Sequence, residues 1–250
     1  MAPEQTLKSW DNPKLLFALA VATANDTKPK GVIAPAYLVA NNKGLEETIT
    51  RAGSELYKSG RASFLLVDAV PEGYFDHYPN TTLWWAGHEE FRDLLKKDNV
   101  PSVDIRSLEN PPADVPGGKP PLIHTASEAE EIVKLAEREK WTDFFVVAHP
   151  MHMLRAFALV VTFLVLRRLS VRVYAHTGPQ VSGWCSEAIF NQDGRTGMIL
   201  CDGTDGELAR LRKIYGNRFD ICPAETVIAY LKWRDSNGKF PFPANPFRVE

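Results

Sequence analysis

Val146-Val147-Ala148-His149-Pro150-Met151-His152-Met153-Leu154-Arg155-Ala156 decides the fold of this chain. Phe144 to Val147 is an aromatic and β-branched run of the kind that makes a buried strand. Pro150 then suits the first position of a helix, where a missing N–H costs nothing. The apolar residues that follow continue that helix. A strand running directly into a helix is the elementary unit of an α/β protein. The first turn of such a helix carries unpaired N–H groups and partial positive charge, so the junction is a ready anion site. His152 and Arg155, three apart, leave the first turn on one face.

Working outward, further short apolar strands are predicted at Ala36–Ala40, Ser63–Val67, Ser102–Ile105 and Val171–Tyr174, besides Asp143–Val147. Helical patterns fill the intervals at Gly44–Ser59, Gly87–Lys97, Ala126–Lys140 and Pro150–Arg168. Strands and helices alternating at these lengths predict βαβ units with right-handed crossovers. The expected fold is α/β: a single three-layer Rossmann-like domain over residues 1–250, with a mainly parallel sheet of about five strands and helices on both faces. Residues 1–30 form a helical entry segment, with a helix from Asn12 to Ala24. Pro71–Thr82 is an aromatic-rich insertion, and 176–205 a lid or hairpin insertion. Helices at Gly206–Tyr215 and Pro223–Asp235 close the domain.

Composition narrows the function. Lysine and arginine number 29 against 31 acids, net −2, so no basic excess points to nucleic acid. The longest apolar run, Ala156 to Leu166, is shorter than the roughly twenty residues a bilayer span requires, so no membrane insertion is expected. No basic stretch leads into an apolar segment at the start of the sequence. Three scattered cysteines without C-x-x-C spacing fit a reducing compartment. A cytoplasmic location is expected. The sequence has no G-x-S-x-G elbow, P-loop or G-x-G-x-x-G, which removes the ordinary hydrolase, NTPase and dinucleotide-oxidoreductase readings.

The histidines carry what chemistry the sequence shows. His124, His149, His152 and His176 fall just beyond predicted strand ends, where ligands of parallel sheets bind. An imidazole titrates near neutrality and suits acid–base work. Without H-E-x-x-H or C-x-x-C elements, a metal site is not expected. Thr125-x-x-Glu128 reads as a capping box, with Thr125 also able to face the crevice of His152.

In order along the chain, several segments resemble the SanA/ElyC/YdcF-like family, a bacterial-type group long carried as a domain of unknown function. They are Arg51-Ala52-x-x-Glu55-Leu56-Tyr57-x-x-Gly60-x-Ala62 before Phe64-Leu65-Leu66-Val67, then Glu90 through Asn99-Val100-Pro101, then Thr125-x-x-Glu128-Ala129, then His152-x-x-Arg155-Ala156. The resemblance spans about Ala36 to Ala175, and its ordered set of motifs carries the weight. It implies a Rossmann-like fold, a nucleotide-like ligand, and Arg51 turned into the cleft. Where the family has glycines after its first two strands, this chain has Asn41-Asn42-Lys43-Gly44 and Asp68-Ala69-Val70, so its loop is expected to bind through side-chain amides.

The expected function is therefore a small-molecule enzyme. His152 is the general acid or base, His149 shares or tunes the proton, and Arg155 clamps an anion. Asn41, Asn42, Arg51, Thr125, His124 and His176 position an anionic or partly aromatic metabolite. Hydrolysis, elimination and isomerisation all use these parts. No redox cofactor is expected. The alternative is a non-catalytic binding protein for a nucleotide-like ligand such as S-adenosylmethionine.

Overall fold

The computed structural model describes residues 31–39, 46–69, 73–78, 81–85, 87–108, 125–177, 189–190, 196–197 and 221–247, with 14, 15, 18, 19 and 23 of the entry segment. Five strands form one parallel sheet: β1 (Ala34–Leu38), β2 (Ala62–Val67), β5 (Ile105–Ser107), β6 (Asp143–Val147) and β7 (Arg172–His176), in the spatial order β5-β2-β1-β6-β7. The chain leaves β1 in one direction to build β2 and β5, then returns to its other side for β6 and β7. The strand order thus reverses between β1 and β6, the kind of switch point beside which doubly wound sheets bind their ligands.

Five described helices cover the sheet. On one face lie α1 (Glu46–Lys58) and α2 (Gly87–Lys97), on the other α3 (Thr125–Arg138), α4 (Pro150–Arg167) and α5 (Ala224–Asp235). Strand side chains alternate between the two layers. Ala36, Leu38, Phe145 and Val147 pack under α1 and α2, while Tyr37, Val39, Phe144 and Val146 pack under α3 and α4. Buried Ala126, Ala129, Ile132, Val133 and Ala136 make an apolar stripe along α3 at helical spacing. In contrast, α4 is apolar on nearly every side, because it lies between the sheet, α3 and α5.

Helix ends set the exit angles into the next strand. After α2, α3 and α4 the C′ residue is Asn99 (φ 63°), Lys140 (φ 55°) or Arg168 (φ 58°), each left-handed. Its N–H and that of the next residue bond back to the final turn, as in Val100 N to Leu95 O at 3.0 Å and Leu169 N to Leu164 O at 2.9 Å. This is the Schellman arrangement. Gly60 (φ 73°) plays the same part after α1.

At the β7 edge, α5 takes the place of another strand. The Tyr230 hydroxyl donates to Val171 O (2.7 Å) and accepts from Val173 N (2.7 Å), and Arg234 Nη1 donates to Val173 O (2.8 Å). Tyr230 and Arg234 are both buried.

Two expectations shift. The strand predicted at Ser102–Ile105 is a short 3₁₀ turn at Ser102–Asp104, and β5 begins at Ile105. The aromatic insertion contains an antiparallel pair, β3 (Gly73–Tyr78) with β4 (Thr81–Trp85). A second small pair, β8 (Ile189–Phe190) with β9 (Thr196–Gly197), falls within the insertion expected at 176–205. Residues 14, 15, 18, 19 and 23 of the entry helix are helical, whereas the helix expected at Gly206–Tyr215 lies outside the described residues. No helix among the described residues is long and apolar enough to cross a membrane.

Candidate functional site

The β6–α4 junction forms as its sequence requires. Pro150 opens α4, and the carbonyl of His149 accepts from His152 N (2.8 Å) and Met153 N (2.9 Å), so His149 holds the N-cap position. His152 and Arg155 then leave the first turns on one face and meet. Arg155 Nη2 lies 2.6 Å from His152 Nδ1, and Thr125 Oγ1, from the first residue of α3, lies 3.0 Å from His152 Nε2. All three residues are buried.

These contacts assign the proton. A guanidinium only donates, so Nδ1 accepts through its lone pair, the imidazole is neutral, and its proton sits on Nε2. Nε2–H therefore donates to Thr125 Oγ1. The threonine's own O–H is left to donate onward. Arg155, His152 and Thr125 make a directional chain in which each hydrogen bond polarises the next. Thr125 is the first residue of α3 and turns its hydroxyl to His152. Glu128, one turn along α3, is buried beside it.

Tyr37, in the middle of β1, has its hydroxyl under the same two helices. It is buried, and its hydroxyl forms no hydrogen bond within normal geometry. Burial, then the Glu128 and Asp68 carboxylates facing it, raise its pKa well above the ordinary phenol value. Asp68 is buried two residues beyond Leu66, on the same side of the sheet. Sequence reading overlooked Tyr37. The available signal was a lone phenol in an otherwise aliphatic buried strand.

His149 is buried next to this chain. Burial, above all, pushes its pKa down to about 4, so it is neutral at pH 7. His176 ends β7, paired in the sheet with Val147, and is also buried. Burial, then Arg61, lower it to about 4, with the Ala52 backbone opposing. Its side chain lies on the α1 side of the sheet, whereas His152 lies on the α3 side. Arg51 is exposed on α1 and joins none of these contacts. Asn41, Asn42 and His124 lie outside the described residues.

Among the described residues no three histidine, cysteine or acidic side chains converge as a metal-holding group. A groove of about 260 Å³ lies elsewhere, between the β5 edge and the later turns of α3, lined by Phe64, Arg106, Leu108, Lys134, Leu135 and Trp141 among others. No family model, curated protein or solved structure matches this chain.

Proposed function

We propose that this protein is a small-molecule enzyme whose ligand binds in the crevice at the β1–β6 switch point, with its anionic or developing oxyanionic group on the Thr125 hydroxyl and the first turn of α4. One observation carries this reading: the His152 ring is bracketed at both nitrogens, by Arg155 and by Thr125. A neutral imidazole fixed in this tautomer is a hydrogen-bond donor first. Donors held in place at a buried position stabilise developing negative charge without reorganising. Arg155 supports the reading twice over, as a fixed cation and as the group that sets the tautomer. Neutral His149 at the helix cap is the nearby imidazole able to accept a proton. The ordered resemblance to the SanA/ElyC/YdcF-like family supports the same place for the ligand, at the start of α4.

The test is a metabolite panel of phosphates, phosphate esters and carboxylates, followed by mass spectrometry for consumption. His152→Ala should lose about 10²–10³-fold in rate. Thr125→Val in the His152→Ala background should cost little more, because members of one chain act as a unit. Full activity in a folded His152→Ala variant refutes the proposal.

The switch point also supports a second reading, a non-catalytic nucleotide-like binder, because doubly wound sheets hold such ligands there. Binding of an adenosyl or nucleotide compound without turnover, unaffected by Thr125→Val, would favour it.

A further inference from the structure

At the sheet edge opposite β7, the groove of about 260 Å³ is a slot between β5 and the later turns of α3. Leu135, in its wall, follows Thr125 on α3 by about 15 Å at 1.5 Å per residue, so the groove is distinct from the Arg155–His152–Thr125 chain. Its floor is apolar, built by Phe64 and Leu108 from the sheet, Leu135 from α3 and Trp141 from just before β6. Phe64 and Trp141 meet edge to face at 5.9 Å, and Trp141 leans on buried Phe144 at 6.0 Å, so the core holds both rings in place. Charged groups line the rim, and most are already matched. Lys134 Nζ bonds Glu131 (2.8 Å) and Glu130 (3.0 Å), and Arg138 Nε bonds Glu139 (3.3 Å). Arg106 differs. Its guanidinium lies over the Phe64 ring, 3.7 Å from the centroid, and makes no ion pair or side-chain hydrogen bond among the described residues.

Chemistry selects what fits. A cation–π contact uses the face of the guanidinium, so stacking on Phe64 fixes its plane and leaves its N–H groups open at the edge. A carboxylate meets that planar fork with two parallel hydrogen bonds. The lining carries Arg106, Lys134 and Arg138 against Glu131 and Glu139, one cation in excess, which calls for a single negative charge. The aromatic and aliphatic floor calls for an apolar body. A volume below the roughly 300–1,000 Å³ of sites for larger ligands limits that body to one ring or a short branched chain. We infer that this groove binds a small monocarboxylate with an aromatic or branched apolar body, its carboxylate on Arg106 and its body against Trp141 and Leu135. The inference stands independently of the proposed function.

The probes are phenylacetate, its neutral amide phenylacetamide, and acetate, titrated into the full chain and followed by NMR. The reporter is the Trp141 indole N–H signal, assigned as the one missing from Trp141→Phe. Phenylacetate should shift that signal with a Kd of about 1 mM or tighter. Phenylacetamide should bind on the order of tenfold more weakly, the loss of hydrogen bonds between two charged groups. Acetate, which has no apolar body, should leave the signal in place. Arg106→Gln should bring phenylacetate to the affinity of the amide. Arg106→Lys should fall between, since lysine keeps the charge and loses the fork. Arg106 is exposed, so both variants should fold. Thr125→Val should leave the titration unchanged. Equal wild-type affinities for phenylacetate and phenylacetamide overturn the inference. So does a preference that survives in Arg106→Gln, a loss of binding in Thr125→Val, or an indole signal that none of the probes moves.

Discussion

Acidification from about pH 7 to about pH 4.5 should remove much of the stability of this fold, and His149 and His176 account for a defined part of the loss. Each imidazole has an ordinary value of 6.5 and is pushed down to about 4 in the folded protein, chiefly by burial. The folded pKa is depressed, so as pH falls the unfolded chain takes up protons first. The stabilisation is full above 6.5 and drains away as pH falls towards 4. At about pH 4.5 the loss is about 2.5 kcal/mol for each ring, taking 1.36 kcal/mol per pKa unit. Together they remove about 5 kcal/mol, as much as the whole stability of a marginal domain. Urea unfolding followed by tryptophan fluorescence at four pH values across this interval gives the slope. Carboxylates titrate in the same range, but their share is common to wild type and variant and cancels in the difference. His176→Phe and His149→Phe should each flatten the slope by about 1.4 kcal/mol per pH unit between roughly pH 6 and 5. Identical slopes in wild type and both variants would refute the assignment, and with it the claim that these rings are buried neutral.

Lys140→Gly and Arg168→Gly should each stabilise the protein by about 0.5–1 kcal/mol, since both hold a left-handed backbone that glycine adopts without strain; thermal melts decide it. Tyr230→Phe should cost about 2–4 kcal/mol in chemical unfolding, because it strands both the N–H of Val173 and the carbonyl of Val171. Gly53→Ala should destabilise by about 1 kcal/mol despite better helix propensity, since the added methyl meets Leu38 Cδ2 at 3.0 Å and Leu38 is fixed in the core.

How far the sequence foretold this arrangement varies by element. The β6–α4 unit was legible because it combines a strong strand-forming run with proline at the one helical position that favours it. Strand β5 was placed three residues early, since Pro101 starts a tight turn, with Asp104 N bonded to Pro101 O, that uses Ser102 to Asp104 before the chain can extend. The β3–β4 pair falls in the stretch expected only as an aromatic-rich insertion, because Pro71 and Pro79 mask the strand-forming Tyr74-Phe75 and Trp84-Trp85. Strand order was not legible, as every strand is similarly apolar and only the layers of packed helices decide which sits at the centre. His152 with Arg155 could be read from helical spacing. Thr125 joins them from 27 residues away, and that pairing exists only once α3 packs along α4. The left-handed Lys140 and Arg168 give no sequence signal, because tertiary packing forces a conformation their side chains do not favour.

The way β7 is finished has a consequence for any shortened form of the protein. A parallel sheet has no internal rule that stops it growing, and an unclothed edge strand is a template for another chain. Here the terminator is one phenol and one guanidinium, delivered by a helix nearly fifty residues later in sequence than the strand they cover. Cutting the chain before residue 224 would therefore do more than loosen the core. It would turn a covered edge into an adhesive one, with self-association through β7 the first symptom, ahead of any loss of secondary structure.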